Sequence, residues 1–272
     1  MIYKEHSFLA RDGAKLNVHR WLPNNAHSAI VLSHGWSEHA GRYQDVARWF
    51  AMKGYEVHAL DHRGHGKSDG VRGHIDCWSR YAEDLETVRQ SIDIDTQYLI
   101  GHSMGGMIAI KHQLVYPKRF KALVLSGPAT DVSYAVPKIK VMMSKVLGKY
   151  MPAMLFSGEV DPNLVCHNKA IVSDYQNDPL NHGKASARWF STYLDLIQQV
   201  KDRASEINVP IAIWHGEDDK IVEPWVSEQL LESLGETDKQ LKFVGNAAHE
   251  ILFEENWEST ALDMQTWLNA YG

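Results

Sequence analysis

Cysteine is scarce in this chain: Cys77 and Cys166 are the only two among 272 residues. They lie far apart and lack the paired spacing of a metal or redox motif, which excludes a disulfide framework and fits a reducing compartment. Long apolar runs are missing too, and none approaches the ~20 residues a membrane-spanning helix needs. The opening residues, Met1-Ile2-Tyr3-Lys4-Glu5-His6, carry no basic stretch followed by an apolar one. No signal peptide is therefore expected, and the expected location is cytoplasmic. Basic charge is not in excess: the net charge is −6, and no basic-aromatic pattern suggests a nucleic-acid partner. Internal repeats, low-complexity segments and linkers are also absent.

Histidine, by contrast, is plentiful at fifteen residues. His58, His62 and His65 are close together, but they straddle a strand end and a glycine loop. His249 precedes Glu250 without a second histidine four positions on, so no metal site is expected. Hydrophobic content of 44% and charged content of 23% are those of a globular protein with a substantial core.

Residues 2–9 and 14–22, either side of Arg11-Asp12-Gly13, read as a β-hairpin. Ala29-Ile30-Val31-Leu32 is a short continuous apolar run, the mark of a strand buried on both faces. Tyr43, Val46, Ala47 and Phe50 have helical spacing, and Gly54 stops them. Residues 55–60 read as a strand, and Trp78, Tyr81, Leu85, Val88 and Ile92 mark one face of a helix. Residues 122–125 form the next strand. From 130 to 190 the alternation stops, and Pro137, Pro152, Pro162 and Pro179 punctuate mostly helical fragments. It resumes with a strand at 211–214, a helix at 225–234, a strand at 241–244 and a helix at 256–269. Strands alternating with helices predict a mainly parallel central sheet covered on both faces. The expected architecture is one α/β domain over residues 1–272 carrying a cap at 130–190.

The chain is organised around Leu99-Ile100-Gly101-His102-Ser103-Met104-Gly105-Gly106. A strand that turns abruptly into a helix at a serine holds that serine in a strained conformation. Gly101 and Gly105 remove the side chains that would collide across so tight a turn. The hydroxyl then stands beside a helix N-terminus whose free amides attract developing negative charge, the setting that nucleophilic catalysis needs.

In a parallel sheet, partners for Ser103 should lie beyond the carboxyl ends of the strands. An acid follows in Trp214-His215-Gly216-Glu217-Asp218-Asp219, where three carboxylates compete for one role. A base follows in Gly245-Asn246-Ala247-Ala248-His249. Taken singly, the acid reads more readily as a solvated cap and the histidine as a structural one. Together they stand at three successive strand ends in the order serine, acid, histidine. His249 would take the serine proton while a carboxylate holds its tautomer. Two amides are the expected oxyanion donors: that of Met104, and that of Trp36, which Gly35 turns towards the pocket.

Taken as a set, four elements resemble the α/β-hydrolases grouped as monoacylglycerol lipases and lysophospholipases. They are His34-Gly35-Trp36-Ser37-Glu38-His39-Ala40-Gly41-Arg42-Tyr43, Asp61-His62-Arg63-Gly64-His65-Gly66-Lys67-Ser68-Asp69-Gly70, Gly101-His102-Ser103-Met104-Gly105-Gly106 and His215-Gly216-Glu217-Asp218-Asp219. In the cap, Asp178-Pro179-Leu180 and Gly183-Lys184 are similar as well. The resemblance implies the α/β-hydrolase fold with a helical cap, a Ser103-His249-Asp219 triad, oxyanion donors at Trp36 and Met104, and no cofactor. It also puts Glu38 and Arg42 near the glycerol end of the pocket, with a salt-bridged pair fixing the loop as the other reading. Trp36 departs from the resemblance, being larger than the small residue expected after His-Gly.

The expected function is hydrolysis of a carboxylic ester in a single-chain lipid, monoacylglycerol or lysophospholipid, through an acyl-serine. A general carboxylesterase or thioesterase for small soluble acyl substrates is the second reading, and a non-catalytic receptor the third. Epoxide hydrolase or dehalogenase chemistry would want a carboxylate at position 103. Alcohol portion, acyl length, peptidase activity and oligomeric state stay open.

No acidic residue stands between Asp131 and Glu159, while Lys138, Lys140, Lys145 and Lys149 all do. On a helix, Ile139, Met142, Met143, Val146, Leu147 and Tyr150 share one side. Either that side is buried on the body, or it is open and the lysines support weak peripheral contact with anionic membranes.

Overall fold

The computed structural model describes residues 1–132, 138–158, 160–235 and 238–272, with Lys138 and Lys140 described by backbone only. Pro137 and Glu159 lie outside the described residues. Gly13, at φ +85°, closes the turn between strands β1 (Ile2–Leu9) and β2 (Lys15–Leu22), which pair antiparallel with Ile2 opposite Leu22. The other strands of the main sheet are β3 (Ser28–Ser33), β4 (Tyr55–Leu60), β5 (Gln97–His102), β6 (Ala122–Ser126), β9 (Ile211–Gly216) and β10 (Lys239–Val244). Strands β7 (Leu155–Ser157) and β8 (Lys184–Ser186) form a separate antiparallel pair. The main sheet runs β1-β2-β4-β3-β5-β6-β9-β10. The β1–β2 and β2–β4 pairings are antiparallel, and every later one is parallel.

Alternation along the strands divides the core in two. Val31, Leu99, Leu123 and Ile213 face α2 (Ser79–Gln90), α3 (Met104–Val115) and α6 (Ala187–Arg203). Ile30, Leu32, Ile100, Val124 and Trp214 face α1 (Gln44–Met52) and α8 (Trp257–Leu268). A strand that feeds both cores must be apolar at consecutive positions, which is why β3 and β6 read as continuous runs. The helix α7 (Trp225–Ser233) joins β9 to β10.

Between β6 and β9 the chain builds α4 (Lys138–Tyr150), the β7–β8 pair, α5 (Lys169–Asn177) and α6. The helix α6 is continuous through residue 190, so the insertion returns to the sheet along a helix that also packs in the core. Ties to the body are specific. Ser186 donates its amide to Gly73 O at 2.8 Å, and His182 donates to Ser37 O at 3.0 Å. His39 meets Asp178 at 2.8 Å.

The helix α4 lies against α6 through small residues: a Cβ at Gly148 would come within 2.4 Å of Ser191 Oγ. Its apolar side faces outward. Ile139, Met142, Met143, Val146 and Tyr150 are all more than half exposed, Tyr150 at 72%. Burial of that side on the body, one of the two expectations from sequence, is thereby corrected. Periodicity defines an apolar stripe; the small-residue contact with α6 decides which way it points. Among the described residues no helix is long and apolar enough to cross a membrane.

Candidate active site

Ser103 occupies the turn between β5 and α3 with φ 51° and ψ −115°, a left-handed conformation costly for a residue with a Cβ. Its surroundings are tight. A Cβ at Gly105 would lie 2.0 Å from Ser33 O, and one at Gly101 would lie 2.6 Å from Gly105 O. The Ser103 amide donates to Ser126 O at 2.9 Å, and its carbonyl accepts from Gly106, Met107 and Ala129.

Three other strand ends converge there. After β6, Gly127 (φ +48°) leaves room for the acid and base: a Cβ on it would be 3.3 Å from His249 Nδ1 and 3.4 Å from Asp219 Oδ2. After β9, Asp219 is fully enclosed and accepts the amides of Ile221 and Val222, both at 2.9 Å. After β10, His249 meets Asp219 Oδ2 through Nδ1 at 2.6 Å. That contact fixes Nδ1–H as donor and leaves Nε2 free to act as a base. The His249 ring also packs, tilted by 53°, against that of His102, the residue before Ser103, with centroids 4.7 Å apart. Glu217 and Asp218 are exposed, whereas Asp219 is buried.

Burial alone would push the Asp219 carboxyl up; the facing His249 and hydrogen bonds from His215 and His249 outweigh it and hold it well below the usual carboxylate range. Burial would lower His249, but the Asp219 charge reverses this and raises it. His102 is pressed down to about 3 by burial and by the neighbouring His249. One histidine is thus prepared to carry a proton while the one packed beside it stays neutral.

The loop after β3 brings Gly35 close enough that a Cβ there would be 3.3 Å from Ser103 Cβ. His34 shapes this loop, with Nδ1 bonded to Gly35 O at 2.7 Å and Nε2 accepting the His62 amide at 3.0 Å. Among the described residues no acceptor receives the amide of Trp36 or that of Met104. Two unsatisfied N–H groups beside a strained serine can receive a negatively charged oxygen.

Glu38 and Arg42 do not line the cavity over Ser103. They stand in a buried network: Arg42 meets Glu38 Oε2 at 2.5 Å and grips Glu250 through both nitrogens at 2.6 and 2.7 Å. Glu38 Oε1 accepts from the Gly35 amide at 2.6 Å and from Tyr43 OH at 2.7 Å. One guanidinium cannot neutralise two carboxylates. Against the cost of burial, Arg42 holds Glu38 down to about 2, while burial raises Glu250. Glu38, His102 and Glu250 are close enough to share an ion, but Arg42 already bonds to both carboxylates. Sequence reasoning missed Glu250. Its signal was there: a carboxylate inside Ala247-Ala248-His249-Glu250-Ile251-Leu252-Phe253 needs a buried partner.

The cavity above Ser103 has a volume of about 260 Å³ and is bounded by Trp36, Met104, Trp189, Phe190, Val222 and other mainly apolar groups. A strained serine, a histidine paired with a buried carboxylate and free amides under an apolar cover, on a mainly parallel sheet, define a serine hydrolase of the α/β-hydrolase class. Residues 24–256 match the serine aminopeptidase S33 family, and the chain belongs to that family. It is 34% identical to a monoacylglycerol lipase of Mycolicibacterium smegmatis over 97% of this chain and 96% of the other. It is 26% identical to a phospholipase of Bacillus subtilis over 92% and 98% of the two chains. The structure of the monoacylglycerol lipase of Paleococcus ferrophilus superposes with a TM-score of 0.85 at 28% identity, covering all of both chains.

Proposed function

We propose that this serine hydrolase cleaves the carboxylic ester of a single-chain lipid, monoacylglycerol or lysophospholipid, through an acyl-Ser103 intermediate. Ser103 Oγ attacks the ester carbonyl as His249 Nε2 takes its proton. Asp219 holds the ring in the Nδ1–H tautomer and stabilises its charged form. The carbonyl oxygen gathers negative charge against the amides of Trp36 and Met104. Collapse expels the alcohol, which receives the proton from His249. Water, deprotonated by His249, then releases the fatty acid. Glu38 and Arg42 serve by positioning, tying the Gly35 amide on one side to Glu250, next to His249, on the other. Residues 130–190 act as the cap.

The apolar cavity directly over Ser103 carries this reading. Asp131 is the one carboxylate on its described lining, and it is paired with Lys201 at 2.5 Å. Relatives acting on monoacylglycerols and phospholipids support the substrate class. The test is a hydrolysis panel of monoacylglycerols, lysophosphatidylcholine, diacylglycerols and short p-nitrophenyl esters. Turnover favouring the single-chain lipids is expected. Preference for diacylglycerols, or for short soluble esters alone, overturns the substrate class.

The proposal extends to weak peripheral contact between α4 and anionic membranes. Support comes from the outward stripe of Ile139, Met142, Met143, Val146 and Tyr150, flanked by exposed Lys145 and Lys149. Each lysine near such a surface contributes about 1 kcal/mol, falling with salt. Co-sedimentation with anionic vesicles at low salt is expected for the wild type and lost when Lys138, Lys140, Lys145 and Lys149 become glutamine. No sedimentation by the wild type refutes the contact. Both Cys77 and Cys166 are free thiols, in keeping with the cytoplasmic location we propose.

A further inference from the structure

We infer that the indole of Trp36 limits the acyl chain to short and medium lengths, making this residue the specificity determinant of the ester hydrolysis proposed above, on which the inference rests. The cavity over Ser103, at about 260 Å³, is smaller than the ~300–1,000 Å³ common for ligand pockets. Aromatic side chains take up the space on one side. The Trp36 ring lies 5.9 Å from that of Trp189, which lies 5.3 Å from both Trp78 and Tyr193. All four residues line the cavity.

Cap and body close around the Trp36 ring. A Cβ at Gly158, just past β7, would come within 2.7 Å of Trp36 Cη2, so only a glycine fits the cap at this point. His182 meets the same ring edge-on at 6.3 Å. The Trp36 Nε1 is buried without a hydrogen-bond partner among the described residues. The ring is therefore held by shape alone, as a wall held by packing. Its place in the chain gives it leverage: the amide of the same residue is a proposed oxyanion donor. The wall starts at the reacting carbonyl, and an acyl chain must pass it from its first carbons.

The experiment measures kcat/KM for p-nitrophenyl esters from acetyl to hexadecanoyl, kept below their micelle concentrations. A parallel series of acetate esters varies only the alcohol. Each methylene that finds room in the cavity should raise kcat/KM about fourfold. In the wild type the rise should stop, then reverse, at medium length. Trp36→Ala should move that break to longer chains, raising the dodecanoyl-to-butanoyl ratio of kcat/KM by about tenfold or more. Trp36→Phe, which keeps an aromatic ring against Trp189, should move it the same way by less. Melting curves identify any variant that fails to fold, and Trp36→Phe then carries the test.

Three results overturn the inference while leaving ester hydrolysis intact. They are a wild-type profile still rising at hexadecanoyl, a break unmoved in both variants, and a change confined to the alcohol series. Absence of turnover on every ester would instead overturn the proposed function, and the inference with it.

Discussion

Replacing Arg42 by methionine removes the one positive charge between two buried carboxylates. Arg42 and Glu250 side chains are 8% and 4% exposed, and Glu38 is 2% exposed. The rings of Tyr175 and Phe253 cover the guanidinium at 4.8 and 4.7 Å. Water cannot compensate for the lost charge. Breaking one side of a buried pair costs about 3–5 kcal/mol, and a domain of this size loses about 2–4 °C of Tm per kcal/mol. The expected drop for Arg42→Met is therefore about 6–20 °C near neutral pH. Its pH dependence follows from the carboxylates left behind. Without Arg42, burial raises the folded-state pKa of Glu38 and Glu250 above the unfolded value. The penalty is complete above the folded pKa and disappears as pH falls through it. The gap between variant and wild type should be widest near about pH 8 and narrow towards about pH 5. Adding Glu250→Gln to Arg42→Met should recover part of the loss, since one uncompensated charge is then gone. Circular-dichroism melts of the wild type, both single variants and the double variant across this range make the measurement. A Tm for Arg42→Met within about 2 °C of wild type at the upper pH, or a gap that widens on acidification, refutes the reasoning.

Asp219→Asn should lower kcat by about 10⁴-fold, whereas Glu217→Gln and Asp218→Asn should change it little, because both side chains face solvent; damage from Asp218→Asn would move the acid by one residue. The buried histidines predict acid sensitivity. Burial, with further depression from neighbouring histidines and, for His182, from Arg72 and Lys184, lowers His62 and His65 well below their ordinary value and His182 to about 4. The unfolded chain takes up protons below about pH 6.5 that these rings refuse when folded. Melting temperature should fall between about pH 7 and pH 5, and His65→Phe should flatten the fall; a wild-type Tm unchanged over that range contradicts it.

Most of the sheet could be read from residue order, because burial on two faces leaves little freedom. Ala29-Ile30-Val31-Leu32 has no polar position, so it belongs between two layers. Gly13 and Gly54 mark turns at positive φ. The proposed triad could be picked out because serine, acid and base follow β5, β9 and β10, strands on one side of the sheet whose carboxyl ends lie on the same edge. The cap was harder. Strands of three residues such as β7 and β8 carry no measurable period, and the helix α6 crosses the expected cap boundary because its far end packs in the body. The stripe on α4 was visible, but its direction depends on Gly148 meeting Ser191, a contact no periodicity encodes. The partner of Glu250 was hidden for a related reason: Arg42 lies 208 positions away, and only the closed sheet brings them together.

The central claim is that Ser103 carries the acyl group, and the most direct measurement is covalent capture. A fluorophosphonate probe followed by peptide mass spectrometry should give one adduct, on Ser103, and none in a folded Ser103→Ala variant. An adduct on another residue, or labelling that survives the substitution, would contradict the account.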